Sequence, residues 1–460
     1  MPFDKDKWVF AVIAVFLFVK LFSIGIYTQV WWDSAVYIGM GKHIFSFGNA
    51  GLWEDSRPIV WPLMLGFLWK TGLNPVLYGR VLEITFGSLC ILLTYFIGKK
   101  LFNQKIAMLS SMLLAFSPTF FFFNGVMLTE VTSTFFSLIA LYFFIENKHF
   151  ISGLFFGIAF LARFLQLFVF IATFLTIFTY FNNKNIKNQT KLLMGFIAAI
   201  TPFFILNQIL YGNALFPFLQ QIFLSNNSGW FNYHPLNYYF IELFKESFLY
   251  LFSIFGILLL FRNKEANKKV VVITFLLFFI FFNSIKQKEM RFLIILLPYI
   301  YLLISYAVIY LIDKFKNNSL KNIIFLIIGV SFIFSIFNAA AYYKNESNKY
   351  NQYEYLQSKF QEHDIKGKIW VSNPIIPVLS DKKTDQLMYY PAFNDEKKKE
   401  LIENADEAGT ILMDSCDLAC KPDDSMCESN KKELLSFFKQ KFKIKYVPVT
   451  NQCEQYIFEK

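Results

Sequence analysis

ISGLFFGIAFLARFLQLFVFIATFLTIFTYF, residues 151–181, is interrupted only by Arg163, Gln166 and a few hydroxyl side chains. As a single helix it would reach ~45 Å at ~1.5 Å per residue, against a hydrocarbon core of ~30 Å. Two short helices that reverse at Arg163 fit that thickness. The choice fixes the side of the membrane on which everything downstream lies, so it decides the topology of the chain.

Charge bias separates the two readings. With the N-terminus inside and a reversal at Arg163, the inner loops are 1–7, 99–105, 146–149, 182–191, 262–269 and 313–322. They hold about 16 Lys and Arg in about 46 residues, whereas the outer loops before residue 342 hold about 8 in about twice that length. Enrichment in Lys and Arg belongs to cytoplasmic loops. A single span over 151–181 would move NNKNIKNQTK (182–191) and RNKEANKK (262–269) outside. Further apolar runs lie near 8–28, 78–98, 193–211, 246–261, 270–284, 292–312 and 323–341. The stretch 103–145 is too long for one helix and breaks at Asn124 and at Thr129-Glu130. The expectation is an α-helical polytopic membrane protein of about eleven spans, with the N-terminus cytoplasmic and the C-terminal domain extracytoplasmic.

Composition agrees. Of 460 residues, 55% are hydrophobic, 60 are Phe and only 17% are charged, against ~25% charged in soluble proteins. A set of soluble domains is excluded. The net charge of +11 does not indicate nucleic acid, because the Lys and Arg sit in short loops between apolar runs. MPFDKDK before Trp8 lacks a small-residue cleavage site, so the first span reads as retained.

Residues 342–460 have ordinary soluble composition. KIWVS (368–372), TILMD (410–414) and KIKYVPV (443–449) have strand character, while EKKKELIENAD and KKELLSFFKQKF read as helices. A small α/β domain of this length can bury a core. The expected division is therefore 1–341, with a first outer loop at 29–74, and 342–460. Four of the five cysteines, Cys416, Cys420, Cys427 and Cys453, fall in the second part. Disulfides persist outside the cytoplasm, so two bridges are expected, with connectivity open. Free thiols are a second reading, and C-x3-C with C-x6-C is poor zinc spacing.

The outer face carries the chemistry. WWDSAVY places Asp33 just after the first span, with Tyr37 and Gly41 on the same helical face. Glu54, Asp55 and Arg57 gather before Pro58, which suits the first turn of a second short helix. Glu130 follows Thr129, Arg163 lies between two spans, and Lys286, Lys288, Glu289 and Arg291 crowd a late loop. Ionisable groups at a membrane edge pair with one another or meet a ligand. Arg and Lys suit a phosphate, and a carboxylate suits general-base work on a hydroxyl.

These stretches, together with RPIVWPLMLGF (57–67), FSPTFFFFNGVMLTEVTSTFFSLIALYFF (116–144) and FGIAFLARFLQL (156–167), resemble the GT-C glycosyltransferases. Among these, protein O-mannosyltransferase-like and aminoarabinose-transferase-like enzymes are nearest. KQKEMRF (286–292) is similar to the His-Lys-Glu-x-Arg-Phe signature of lipid-linked mannosyltransferases, with Gln287 where that pattern has His. The resemblance covers about residues 8–341. It implies a GT-C fold and a donor that is a polyprenyl-phosphate sugar (dolichyl or undecaprenyl), with a glycan, lipid or protein as acceptor. It implies Asp33 as the base that activates the acceptor hydroxyl for inverting attack, and a catalytic part for Glu130. Arg57, Arg163, Lys288 and Arg291 take the donor phosphate. Tyr37, Glu54, Asp55 and His234 are candidate contacts to acceptor or sugar. No metal or other cofactor is expected, since His43, His149, His234 and His363 make no ligand-spaced pair. Mannose or another hexose is the expected sugar, and a plasma or endoplasmic-reticulum-type membrane the expected setting.

Each residue also has a plainer reading. Asp33 and Glu130 suit helix capping, Arg163 suits snorkelling at the interface, Arg57 suits an interfacial anchor and Lys288 suits a lipid headgroup. Two other functions share the composition. A flippase of lipid-linked sugars would place its ionisable groups near the midplane of repeated, broken spans. An oligosaccharide ligase or oligosaccharyltransferase would carry Trp-Trp-Asp in a large C-terminal domain, whereas here it is Trp31-Trp32-Asp33 after the first span.

Overall fold

The computed structural model describes residues 6–460 except 27–28, 179–182, 228–232, 263–264, 350–366, 389–394, 419, 421–423, 447–448 and 451–452. The helices before residue 350 are α1 Lys7–Ser23, α2 Trp32–Phe45, α3 Val60–Lys70, α4 Pro75–Leu101, α5 Gln104–Ala115, α6 Pro118–Phe123, α7 Thr129–Ile145 and α8 His149–Ala162. They continue with α9 Leu167–Phe178, α10 Asn183–Tyr211, α11 Phe216–Asn227, α12 Tyr238–Glu246, α13 Leu251–Phe261, α14 Ala266–Ser284, α15 Leu297–Lys314 and α16 Asn318–Lys349. Among the described residues, five helical stretches are long and apolar enough to cross a membrane: Pro75–Leu101, Ile186–Tyr211, Asn267–Ser284, Leu297–Lys314 and Asn318–Asn345. Shorter apolar helices cover Thr129–Ile145, His149–Ala162, Phe164–Thr176 and Phe248–Phe261. Every apolar run expected to span holds a helix.

The chain forms two compact units. One comprises residues 1–28, 80–204 and 232–346, the other 29–79, 205–231 and 347–460.

In the first unit the chain reverses at Arg163. The rings of Phe156 and Phe170, seven residues to either side, are 5.9 Å apart, where a continuous helix would separate them by ~21 Å. Arg163 itself is extended, at φ −158° and ψ 119°. Between α7 and α8 the turn passes through Asn147 at φ +58°, a left-handed position that Asn tolerates. α8 then meets α10 backbone to backbone. A Cβ on Gly153 would lie 2.0 Å from the Leu192 carbonyl oxygen, and one on Gly195 2.1 Å from that of Phe150. Such small-residue contacts let helices approach without a side chain between them. α15 is apolar all round and buried from Leu297 to Ser305, as a central helix requires.

In the second unit α2 and α3 pack against each other. A Cβ on Gly41 would be 2.6 Å from the Gly66 nitrogen, and one on Gly66 2.4 Å from the Gly41 carbonyl oxygen. Pro58, expected inside the second short helix, stands two residues ahead of α3, whose first turn holds Pro62 instead. The remaining elements are β1 Lys368–Val371, α17 Ile376–Leu379, β2 Gln386–Leu387, α18 Asp395–Glu403, β3 Ala408–Asp414, α19 Ser425–Lys441, β4 Lys443–Tyr446, β5 Val449–Thr450 and β6 Cys453–Glu459. The sheet order is β2-β1-β3-β6-β4, with β5 on β6. β1 runs parallel to β2 and β3, while β6 is antiparallel to β3 and β4. Trp370, Ile411, Met413, Tyr456 and Phe458 form a core with Leu401, Leu434 and Phe438. Cys420 and Cys427 form a disulfide, and Cys416 is also disulfide-bonded. The side chain of Cys453 lies outside the described residues.

Candidate functional site

Each unit carries a charged cluster. In the second, Asp33 sits in the first turn of α2, where a carboxylate meets the positive end of the helix dipole. Arg57 Nη1 is 2.9 Å from Asp33 Oδ1, and its Nε is 2.9 Å from Glu54 Oε1. Ser56 Oγ donates to the same Glu54 oxygen at 3.2 Å. The guanidinium also lies over the buried Tyr37 ring, 5.7 Å from its centroid, a cation–π distance. Asp33, Tyr37, Glu54 and Arg57 are thus brought together through one guanidinium. Asp55 stands beside them; burial, and then the neighbouring Glu54 charge, push its carboxyl above the ordinary range.

The same unit ties α2 to the C-terminal domain. Lys42 is 3% exposed and donates from Nζ to the carbonyls of Val378 and Ser380 at 3.1 and 3.2 Å and to Asp381 Oδ1 at 3.0 Å. Trp69 Nε1 donates to Asp381 as well. Burial works to raise the Asp381 carboxyl, but the bond and charge of Lys42 outweigh it and hold it below its usual range. The Gly51 N–H donates to the Lys382 carbonyl, and the Thr384 N–H to that of Gly51. Sequence reading missed this tie, because nothing near Lys42 in the chain names its acceptors.

In the first unit, Glu130 lies in the first turn of α7 and is 1% exposed. Arg163 Nη1 is 3.1 Å from Glu130 Oε1 and donates to Thr129 Oγ1 at 2.9 Å. Arg291 Nε is 3.8 Å from the same Glu130 oxygen and 2.6 Å from Glu289 Oε2. Both guanidiniums flank the Phe292 ring, at 5.3 and 5.5 Å. The Glu289 N–H donates to the Tyr239 hydroxyl, which donates back to the Glu289 carbonyl. Two cations and two carboxylates therefore share a half-buried aromatic surface.

The other expected contacts sit apart from these bonds. Lys288 is 2% exposed and donates to the carbonyls of His234 and Ile285, which secures the loop on which Arg291 stands. The His234 ring stacks on Tyr238 at 3.9 Å. Among the described residues no three His, Cys, Asp or Glu side chains are grouped to hold a metal ion.

Known proteins share this fold. Among curated protein sequences none matches. The fold is similar to that of ArnT from Cupriavidus metallidurans bound to undecaprenyl phosphate, at 12% identity and a TM-score of 0.69, over 98% of each chain. It is also similar to the archaeal oligosaccharyltransferase AglB from Archaeoglobus fulgidus in complex with an inhibitory peptide and a dolichol-phosphate. There the identity is 12% and the TM-score 0.58, over 90% of this chain and 70% of AglB. The model of the Alg9-like mannosyltransferase family matches residues 8–375, and the chain belongs to that family of GT-C membrane glycosyltransferases.

Proposed function

We propose that the protein moves a hexose, mannose first among the candidates, from a polyprenyl-phosphate donor to a hydroxyl acceptor at the outer membrane face, with inversion. Asp33 takes the acceptor proton, and the freed oxygen attacks the anomeric carbon. The bond from that carbon to the phosphate oxygen breaks, and the electron pair leaves with the polyprenyl phosphate. Arg57 meets the charge growing on the phosphate, with Arg163 and Arg291 as further phosphate contacts. Glu130 acts by holding Arg163. No metal is required.

The observation that carries this reading is Asp33 at the start of α2, held 2.9 Å from Arg57 in a chain of the mannosyltransferase family. The lipids named in ArnT and AglB support the donor class. The test is transfer from labelled polyprenyl-phosphate mannose and polyprenyl-phosphate glucose in membranes, comparing wild type with Asp33→Asn at equal folded amount. A loss of ~10²–10⁴-fold is expected of a missing general base. Equal transfer by both proteins would remove Asp33 from the mechanism.

A further inference from the structure

The segment between α5 and α7 is gripped at both ends by buried carboxylates from other helices of its own unit. At its start, Glu246 accepts from Ser117 Oγ at 3.2 Å and from the N–H and Oγ1 of Thr119 at 2.9 Å each. At its end, Glu83 on α4, fully buried, accepts from the N–H groups of Gly125 at 2.8 Å, Met127 at 2.5 Å and Leu128 at 3.1 Å. Gly125 and Met127 have φ of +104° and +66°. Such a backbone aims successive N–H groups into one concavity that suits an anion. Here the chain supplies the accepting oxygens itself.

One turn along α4 from Glu83, the loop presses close. A Cβ on Gly87 would fall 1.5 Å from Asn124 Nδ2. On the other side Lys20, 2% exposed, donates from Nζ to the Phe121 carbonyl and to the Tyr343 hydroxyl, both at 2.8 Å. Leu128, whose N–H donates the last of the Glu83 bonds, is the N-cap of α7, and its side chain supplies no cap. Glu83 therefore holds the N–H of that N-cap residue from another helix, two residues ahead of Glu130. A carboxyl group inside an apolar helix is costly unless it serves something. What this one fixes is the start of α7.

We propose that Glu83 is a positioning residue for the cationic cluster. Through the N–H groups of residues 125, 127 and 128 it sets the place of Glu130, and through Glu130 that of Arg163 and Arg291. The inference rests on reading those guanidiniums as donor-phosphate contacts. Glu83→Gln keeps the shape and turns one accepting oxygen into an N–H donor, while Glu246→Gln does the same at the far end of the segment.

The experiment uses the full-length protein in lipid nanodiscs. Hydrogen exchange at amides 125–128 should quicken at least tenfold in Glu83→Gln and stay as in wild type in Glu246→Gln. In steady-state transfer from a polyprenyl-phosphate sugar, Glu83→Gln should raise the donor KM about tenfold, the factor carried by one hydrogen bond to a charged group. Its acceptor KM should not move. A fall in kcat with both KM values unchanged, the mark of a smaller folded fraction, would overturn the proposal, as would unchanged exchange at 125–128. If Glu83→Gln does not accumulate, Glu83→Asp takes its place, with the same outcomes expected. If wild type transfers from no polyprenyl-phosphate donor, the function proposed above fails by itself. Undecaprenyl phosphate binding, measured by thermal shift with wild type and variant, then decides the part of Glu83: equal shifts overturn it.

Discussion

Arg163 Nη1 lies 3.1 Å from Glu130 Oε1, joining the point where α8 gives way to α9 to the first turn of α7. The acid is 1% exposed and the base 15%, so neither is well served by water. Breaking such a pair from one side leaves a charge stranded. Arg163→Gln and Glu130→Gln are each expected to cost ~3–5 kcal/mol. The double variant should cost less than the sum by ~1–3 kcal/mol. Unfolding in denaturant with all four proteins closes the cycle, and strict additivity would mean the pair contributes nothing.

Gly66→Ala should push α2 from α3. Its new Cβ would stand 2.4 Å from the Gly41 carbonyl oxygen, a backbone atom that cannot rotate away. The expected loss is ~1–3 kcal/mol, together with a lower transfer rate, because Asp33 opens α2 and Arg57 precedes α3. Gly329→Ala, where a Cβ would meet nothing within 4 Å, should be neutral or slightly stabilising by ~1 kcal/mol, as for Ala over Gly in a helix. Paired melting curves test both, and similar shifts would refute the close-contact argument.

The C-terminal domain should be more stable in mild acid than at neutral pH. Burial, and then the neighbouring Asp414 charge, push the Asp417 carboxyl well above its usual range, against the hydrogen bonds of Ser372 and Asn373. A raised folded pKa means that folding takes up a proton. The contribution is fully present below the unfolded value of ~3.9 and is lost as pH climbs through the folded one. Thermal melts of wild type from pH 4 to 8 should fall with rising pH, and Asp417→Asn should flatten the slope. An unchanged slope in the variant would assign it elsewhere.

Chelation should leave transfer untouched. The mechanism proposed here needs only carboxylate and guanidinium groups, so assays in excess EDTA, with and without added Mg²⁺ or Mn²⁺, are expected to agree within twofold. A rate that collapses in EDTA and returns with one ion would replace Arg57 by a metal as the main partner of the phosphate.

Much of the fold was legible because apolar length and charge placement are properties of a segment. The excess length of 151–181 and the single Arg163 within it sufficed to place the reversal that the Phe156–Phe170 contact reveals. Asp33, Arg57 and Glu54 were legible as neighbours because loop polarity exposes them in the sequence. Strand β6 was missed although it lies between β3 and β4, since its place in the sheet depends on partners 11–16 and 41–49 residues away. Glu83 was hidden for a different reason. It lies within an apolar run, and only the loop folded onto it, over 40 residues later, explains its carboxyl group. The signal available was Arg80 and Glu83 inside the stretch 78–98, where a carboxylate is expensive.

The bonds of Lys42 to Val378, Ser380 and Asp381, and of Gly51 to Lys382 and Thr384, bear on how this protein can be recombined with its relatives. A chimera cut at residue 347 would graft a foreign tail onto a helix whose buried ammonium is shaped for these particular acceptors. Residues 29–79 and 347–460, which share one compact unit with 205–231, are therefore to be exchanged together, although 267 positions of chain separate the first from the last. Any shuffling that separates them strands a buried cation on the acid-bearing helix itself.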